Sequence, residues 1–176
     1  MAKGEDTKAA LLLRAKQLFW TRGYSNVPVR EIAKAAGVDV ALISRYFGSK
    51  RGLFEATMAD VPALDVRDLE TPEDLITAIV DLFSSAPRNG PEPSPTAAIL
   101  ANAGDPEVGE LVRLHYTRKW QSPIEKIVPD RSKAALFSAA LLGISVAEKA
   151  LHLPGIAPAT SDAYKAQLRQ LLTGAL

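Results

Sequence analysis

Apolar positions recur along this chain at three- and four-residue spacing, the period of helices rather than strands. Leu11, Leu12, Ala15, Leu18 and Phe19 give one apolar face to a helix over Thr7–Arg22, capped by Asp6 or Thr7 and stopped at Gly23. Ile32, Ala33 and Ala36 share a face of a second, short helix, and Gly37 stands where that helix must stop. Val38 then points back into the core, and Asp39 is placed to cap a third helix from Val40 to about Phe47, with Ile43 and Phe47 as its buried stripe. Phe47-Gly48-Ser49-Lys50 ends that helix and turns, with Ser49 as the next N-cap. A fourth helix follows from Leu53 to about Val61.

The remainder continues in the same period. After a loop, Thr71-Pro72-Glu73-Asp74 supplies a cap, a first-turn proline and first-turn acids for a helix burying Leu75, Ile76, Ile79, Leu82 and Phe83. Four prolines between Ala86 and Pro95 require a loop. A short apolar helix is predicted over Thr96–Ala103. Another, begun by Asp105-Pro106, carries Val108, Leu111, Val112, Leu114 and His115 towards Trp120. A brief segment spans Ser122–Val128. The most apolar long helix covers Arg131–Leu153, and Ser161 caps a last one bearing Leu168, Leu171 and Leu172. No internal repeat is evident, and the fold class is all-α.

The run from Val29 to Ala56 has the grammar of a helix-turn-helix. A short helix with small or polar exposed residues, braced by its predecessor across a glycine turn, can enter a DNA major groove. Lys50 sits beside a helix N-terminus with free amides, an arrangement suited to a phosphate. The segments IAKAAGV, RYFGSK and GLF, with the leading helix, resemble the DNA-binding domain of the TetR (tetracycline-repressor-like) family of bacterial transcription regulators over about Thr7–Met58. The chain departs from that pattern at Pro28, where the family often has Ser or Thr as a cap. It departs again at Asp39, commonly Ser or Thr, and at Ser44, commonly a phosphate-contacting Tyr. Asp39 would repel a nearby phosphate, so it reads as a cap first and a cytosine reader second.

Within that resemblance, Ser44, Tyr46 and Lys50 are expected on phosphates, and Val40, Ala41 and Arg45 on bases. Arg30 and Lys34 are solvated or phosphate-facing. Lys3 and Lys8 could touch the DNA backbone or minor groove, or belong to a solvated tail.

Charge supports a head of different character from the body. The net charge is +1, but residues 1–57 hold ten Lys and Arg against five Asp and Glu, and the remainder eleven against fifteen. The chain has no cysteine, which removes disulfides, thiolate metal sites and thiol nucleophiles. It shows no apolar run of membrane-spanning length and no signal-peptide core at MAKGEDTK, so a cytoplasmic protein without a membrane partner is expected.

The resemblance implies a division into a DNA-binding domain over residues 1–57 and a helical ligand-binding and dimerisation domain over 58–176. A family-like body would enclose a small-molecule pocket, with Phe83, Leu100, Leu111, His115, Tyr116, Trp120, Phe137 and Leu141 as candidate lining. The last two long helices resemble the family's dimer interface, a four-helix bundle made by two subunits, with Leu136, Ala140, Gly143, Ala147, Leu168 and Leu172 as candidate contacts. The alternative at each position is an ordinary core residue.

An enzyme is disfavoured. His115 and His152 lie outside any HExxH-type motif, and no Walker loop, G-x-G-x-x-G or G-x-S-x-G is present. No metal or cofactor is expected. The expected function is a homodimeric regulator of transcription, a repressor by family resemblance, that binds a near-palindromic double-stranded operator and is released by an apolar or aromatic effector. A helical DNA-binding protein without a ligand, or an activator, is the alternative.

Overall fold

The computed structural model describes residues 2–85 and 93–176, with side chains from Gly4 onward. Among these the secondary structure is helical, with no strand. The elements are α1 (Ala2–Arg22), α2 (Val29–Ala36), α3 (Ala41–Phe47), α4 (Lys50–Ala59), α5 (Pro72–Ser85), α6 (Pro95–Asn102), α7 (Gly109–Tyr116), a π-helical turn (Thr117–Gln121), α8 (Ser122–Ile127), α9 (Arg131–Lys149) and α10 (Asp162–Gly174). Most of the predicted proline loop, residues 86–92, lies outside the described residues. No described helix is long and apolar enough to cross a membrane.

The chain forms two compact units that do not follow a single cut at residue 57. One combines Met1–Pro62 with Gly90–His115, the other Ala63–Asn89 with Tyr116–Leu176. The first unit is centred on α1, whose Leu11, Ala15, Phe19 and Trp20 share a core with Ile32, Ile43, Leu53, Phe54, Ala98 and Val112. Phe19, Tyr24 and Phe54 form an aromatic triangle with ring centres about 5.5 Å apart. Asn102, fully buried on α6, explains why α6 joins this unit. Its carbonyl oxygen accepts from the Tyr24 N–H (2.7 Å), and its amide donates to the carbonyls of Phe19 (3.0 Å) and Ala98 (2.9 Å). The first bond satisfies the Tyr24 N–H just past the end of α1, while the Phe19 carbonyl also accepts from the Gly23 N–H (3.1 Å).

The second unit packs α5, α8, α9 and α10 around Leu75, Ile79, Ile124, Phe137, Leu141, Tyr164, Leu168 and Leu172. Arg169 on α10 pairs with Glu73 and donates to Thr77 Oγ1 on α5 (3.0 Å). Asp74 accepts from the Thr71 hydroxyl (2.7 Å) and backbone N–H (2.9 Å), while Thr71 accepts from the Asp74 N–H, a reciprocal cap at the predicted start of α5. The Ser161 hydroxyl likewise accepts from the Tyr164 N–H (3.2 Å).

Several boundaries differ from the sequence expectation. α1 begins at Ala2, so Asp6 and Thr7 lie inside it and cannot cap. α4 begins at Lys50, three residues before Leu53, because the Ser49 hydroxyl accepts from the Gly52 N–H (2.9 Å) and fixes the first turn. α9 stops at Lys149; Leu151 and Leu153 are exposed, so no burial carries the helix further. On α5, Leu82 is exposed and Phe83 half-buried, while Val80 and Ser84 take buried positions. The helix expected to run on to Trp120 is interrupted by the π-helical turn, where the Lys119 carbonyl accepts from the Leu64 N–H (2.8 Å).

Candidate nucleic-acid interface

Local rules build the α2–turn–α3 element. α2 lacks a side-chain cap at Pro28 and ends at Gly37, whose φ of 69° is the left-handed conformation expected there. The Val38 N–H reaches back to the Ala33 carbonyl (3.0 Å), closing the turn, and Val38 packs half-buried against the core. Asp39 Oδ1 accepts from the Ala41 N–H (2.7 Å), so the carboxylate caps α3 as its position suggests. Ile43 is buried beneath α3 and Phe47 is half-buried beside it. This orientation leaves Val40, Ala41, Ser44 and Arg45 exposed together at the surface.

Tyr46 and Lys50 complete the group differently. Tyr46 is half-buried, packed edge-on to Phe47 (6.5 Å) with the Arg45 guanidinium 6.0 Å from its ring centre, so it both packs and borders the exposed face. Lys50 opens α4, and its ammonium lies 4.2 Å from the centre of the Tyr24 ring. Burial pushes the Tyr24 hydroxyl up to about 12, reinforced by the Glu107 and Asp105 carboxylates and opposed by Arg51. Arg51 is committed elsewhere, to Glu55 and to the Glu107 carbonyl (2.7 Å). Asp105 accepts from the Ser25 hydroxyl (2.6 Å). Burial opposes ionisation of Asp105, but hydrogen bonds from Ser25 and from the Glu107 and Val108 amides keep its carboxyl below the usual range. Arg30 and Lys34 are exposed on α2.

Two contributors escaped the sequence reading. A Cβ on Gly52 would stand 2.1 Å from the Phe47 carbonyl oxygen, so only glycine permits α4 to approach the end of α3 this closely. Tyr24, just past the end of α1, is the ring beneath Lys50. Neither role has a local sequence signal, because each depends on an approach between elements.

The sequence profile for bacterial regulatory proteins of the tetR family matches residues 11–57, the segment that forms this interface. Residues 11–57 are thus similar to the DNA-binding domain of bacterial regulatory proteins of the tetR family. The chain is 35% identical to the probable HTH-type transcriptional regulator YttP of Bacillus subtilis, over 45% of this chain and 43% of that protein. It is 27% identical to the HTH-type transcriptional regulator BetI of Escherichia coli, over 59% of this chain and 48% of the relative. The matched part thus spans less than half the length of these curated relatives. Among solved structures, NalD of Pseudomonas aeruginosa, the secondary repressor of the MexAB-OprM multidrug efflux pump, is similar with a TM-score of 0.69 at 21% identity, over 97% of this chain and 96% of that one. A HlyIIR mutant protein is similar with a TM-score of 0.63 at 20% identity, over 97% and 98%. These two likenesses establish the fold. YttP and BetI are both named as transcriptional regulators.

The residues that the TetR resemblance suggested for a pocket are divided between the two units. Leu100 (60% exposed), Leu111 and His115 belong to the first; Phe83, Tyr116, Trp120, Phe137 and Leu141 belong to the second. Phe137 and Leu141 are filled core positions. Burial raises the Tyr116 hydroxyl, with Ser138 beside it acting in the other direction. An open groove of about 350 Å³ in the second unit is lined by Asp81, Ser84, Ser85, Thr160 and Lys165, none of them on the expected list. The interface candidates also separate. Leu136 (58% exposed) and Gly143 are exposed, and Ala140 and Ala147 half-buried, whereas Leu168 and Leu172 are buried in the unit's own core and are not free to meet a partner. On α10, Leu171 is exposed instead, because α10 turns the Leu168–Leu172 face towards α5 and α9.

Proposed function

We propose that the protein is a homodimeric DNA-binding regulator of transcription, acting in the cytoplasm as a repressor that a small molecule releases from a near-palindromic operator. The observation that carries the DNA-binding part is the exposed group Val40, Ala41, Ser44 and Arg45 on a short helix that packs against α4 and buries Ile43 in the first unit's core, with Lys50 at the next helix start. Such a helix presents its outer side chains to base edges while flanking cations meet phosphates. The excess of basic residues over 1–57 supports the same reading.

Dimerisation is supported by the exposed Leu136 and Gly143 on α9, and repression by the role of the similar NalD as a secondary repressor. A small molecule would release the protein only by binding one arrangement of the two heads more tightly than the other. A near-complete switch needs about 5 kcal/mol of such preference.

The test is a mobility shift on the DNA upstream of the protein's own gene, across a salt series with random DNA as competitor. A protected near-palindrome bound by two subunits is the expected outcome. Binding no tighter than to random DNA would remove the regulator reading for that region.

A further inference from the structure

The start of α3 carries a carboxylate with no ion-pair partner among the described residues. Asp39 is exposed, and its Oδ1 is fixed by the Ala41 N–H at 2.7 Å, which sets the orientation of the carboxylate and leaves its second oxygen open. Among the described residues no basic side chain pairs with it, whereas Glu31 and Glu55 in the same unit pair with Arg22 and Arg51. Val40 and Ala41, which follow directly, are exposed as well. A carboxylate held at a surface that must meet a polyanion weakens binding, unless the nucleic acid offers it a donor.

We propose that Asp39 is a specificity-determining residue whose free carboxylate oxygen accepts a hydrogen bond from a cytosine N4 amino group in the major groove. This rests on the DNA-binding reading above. An ionised carboxylate accepts only. In the major groove the edge of cytosine presents the N4 donor without an acceptor of its own, while adenine sets N7, an acceptor, beside its amino group, and guanine and thymine present acceptors. The residues at the start of a recognition helix are those that reach base edges. The cap and the base contact use different oxygens of one side chain, so they do not compete.

The test is selection of a random double-stranded library by the full chain, followed by affinities for every single-base variant of the selected half-site. The same measurements are made with Asp39→Asn. Asparagine caps as well as aspartate, so circular dichroism should match, but with its oxygen on the cap the group that replaces the free carboxylate oxygen is an amide NH2, which only donates. For the wild-type protein, one half-site position should prefer cytosine, with loss of about 10-fold or more on replacement. In Asp39→Asn that position alone should lose its preference for cytosine in favour of bases that present acceptors there. If Asp39→Asn binds every library member more tightly by one common factor, with base preferences unchanged, Asp39 is a cap that merely repels DNA and the inference is overturned. A library from which the wild-type protein selects nothing would overturn the DNA-binding reading and this inference together.

Discussion

The Lys50 ammonium rests 4.2 Å from the centre of the Tyr24 ring, so the cation at the head's proposed phosphate contact is held by an aromatic face rather than left to swing freely. Such a contact stabilises by about 0.5–1 kcal/mol at a partly exposed site. Lys50→Ala should weaken binding to all DNA sequences by a similar factor and flatten the slope of log affinity against log salt by about one unit. Tyr24→Phe keeps the ring beneath Lys50 and should leave that slope unchanged. Filter binding across a salt series measures both. An unaltered slope in Lys50→Ala would show that Lys50 makes no phosphate contact.

The same tyrosine makes the head sensitive to alkali. Its hydroxyl is pushed up to about 12 by burial first and then by the Glu107 and Asp105 carboxylates, against roughly 10 in an unfolded chain. Between these values the folded protein holds a proton that the unfolded chain has released, so the stabilisation is complete below pH about 10 and is lost as pH rises through about 12. Urea midpoints measured from pH 9 to 11.5 should fall more steeply for the wild-type protein than for Tyr24→Phe. Parallel curves would mean that the hydroxyl ionises in the folded protein as it does in water.

Asn102 ties α6 to the Tyr24 amide at the start of the Gly23–Pro28 connection and to the Phe19 carbonyl of α1, and a third bond holds it to Ala98 of its own helix, all inside the first unit and out of reach of solvent. Asn102→Ala leaves the Tyr24 amide and the Phe19 carbonyl without this partner, and a buried unsatisfied group costs about 1–3 kcal/mol. Urea denaturation followed by fluorescence of the buried Trp20 should show a loss of about 2–4 kcal/mol. A loss under 0.5 kcal/mol would indicate that water takes over these bonds.

How legible each element was follows from how local its cause is. Gly37 and Ser49 act within one turn of the chain, and their roles could be read from the residues themselves. Asp39 as a cap belongs to the same class. The position of α6 depends on Asn102 meeting a backbone amide 78 residues away, and nothing in the local pattern marks a single buried asparagine as the link. The Leu168–Leu172 stripe was correctly apolar, but periodicity assigns a buried face without saying whether the chain's own helices or a second copy covers it. Here α5 and α9 cover it.

That distinction decides where a dimer would form. With Leu168 and Leu172 used internally, the apolar surface left on the terminal helices includes Leu136, Gly143 and Leu171, all exposed. Gly143 is the informative position, because a Cβ placed there meets no atom within 4 Å of its own chain. Gly143→Leu therefore creates no clash inside the protomer and should raise helix propensity by roughly 1 kcal/mol relative to glycine. If two copies pack α9 closely at this point, the added side chain separates them. Analytical ultracentrifugation should then show a monomer with unchanged helicity, and affinity for a two-half-site DNA should fall by at least 10-fold as the second head is lost from the complex, on the order of the gain that linking two sites supplies. A Gly143→Leu protein that remains a dimer of normal affinity would place the interface on another surface.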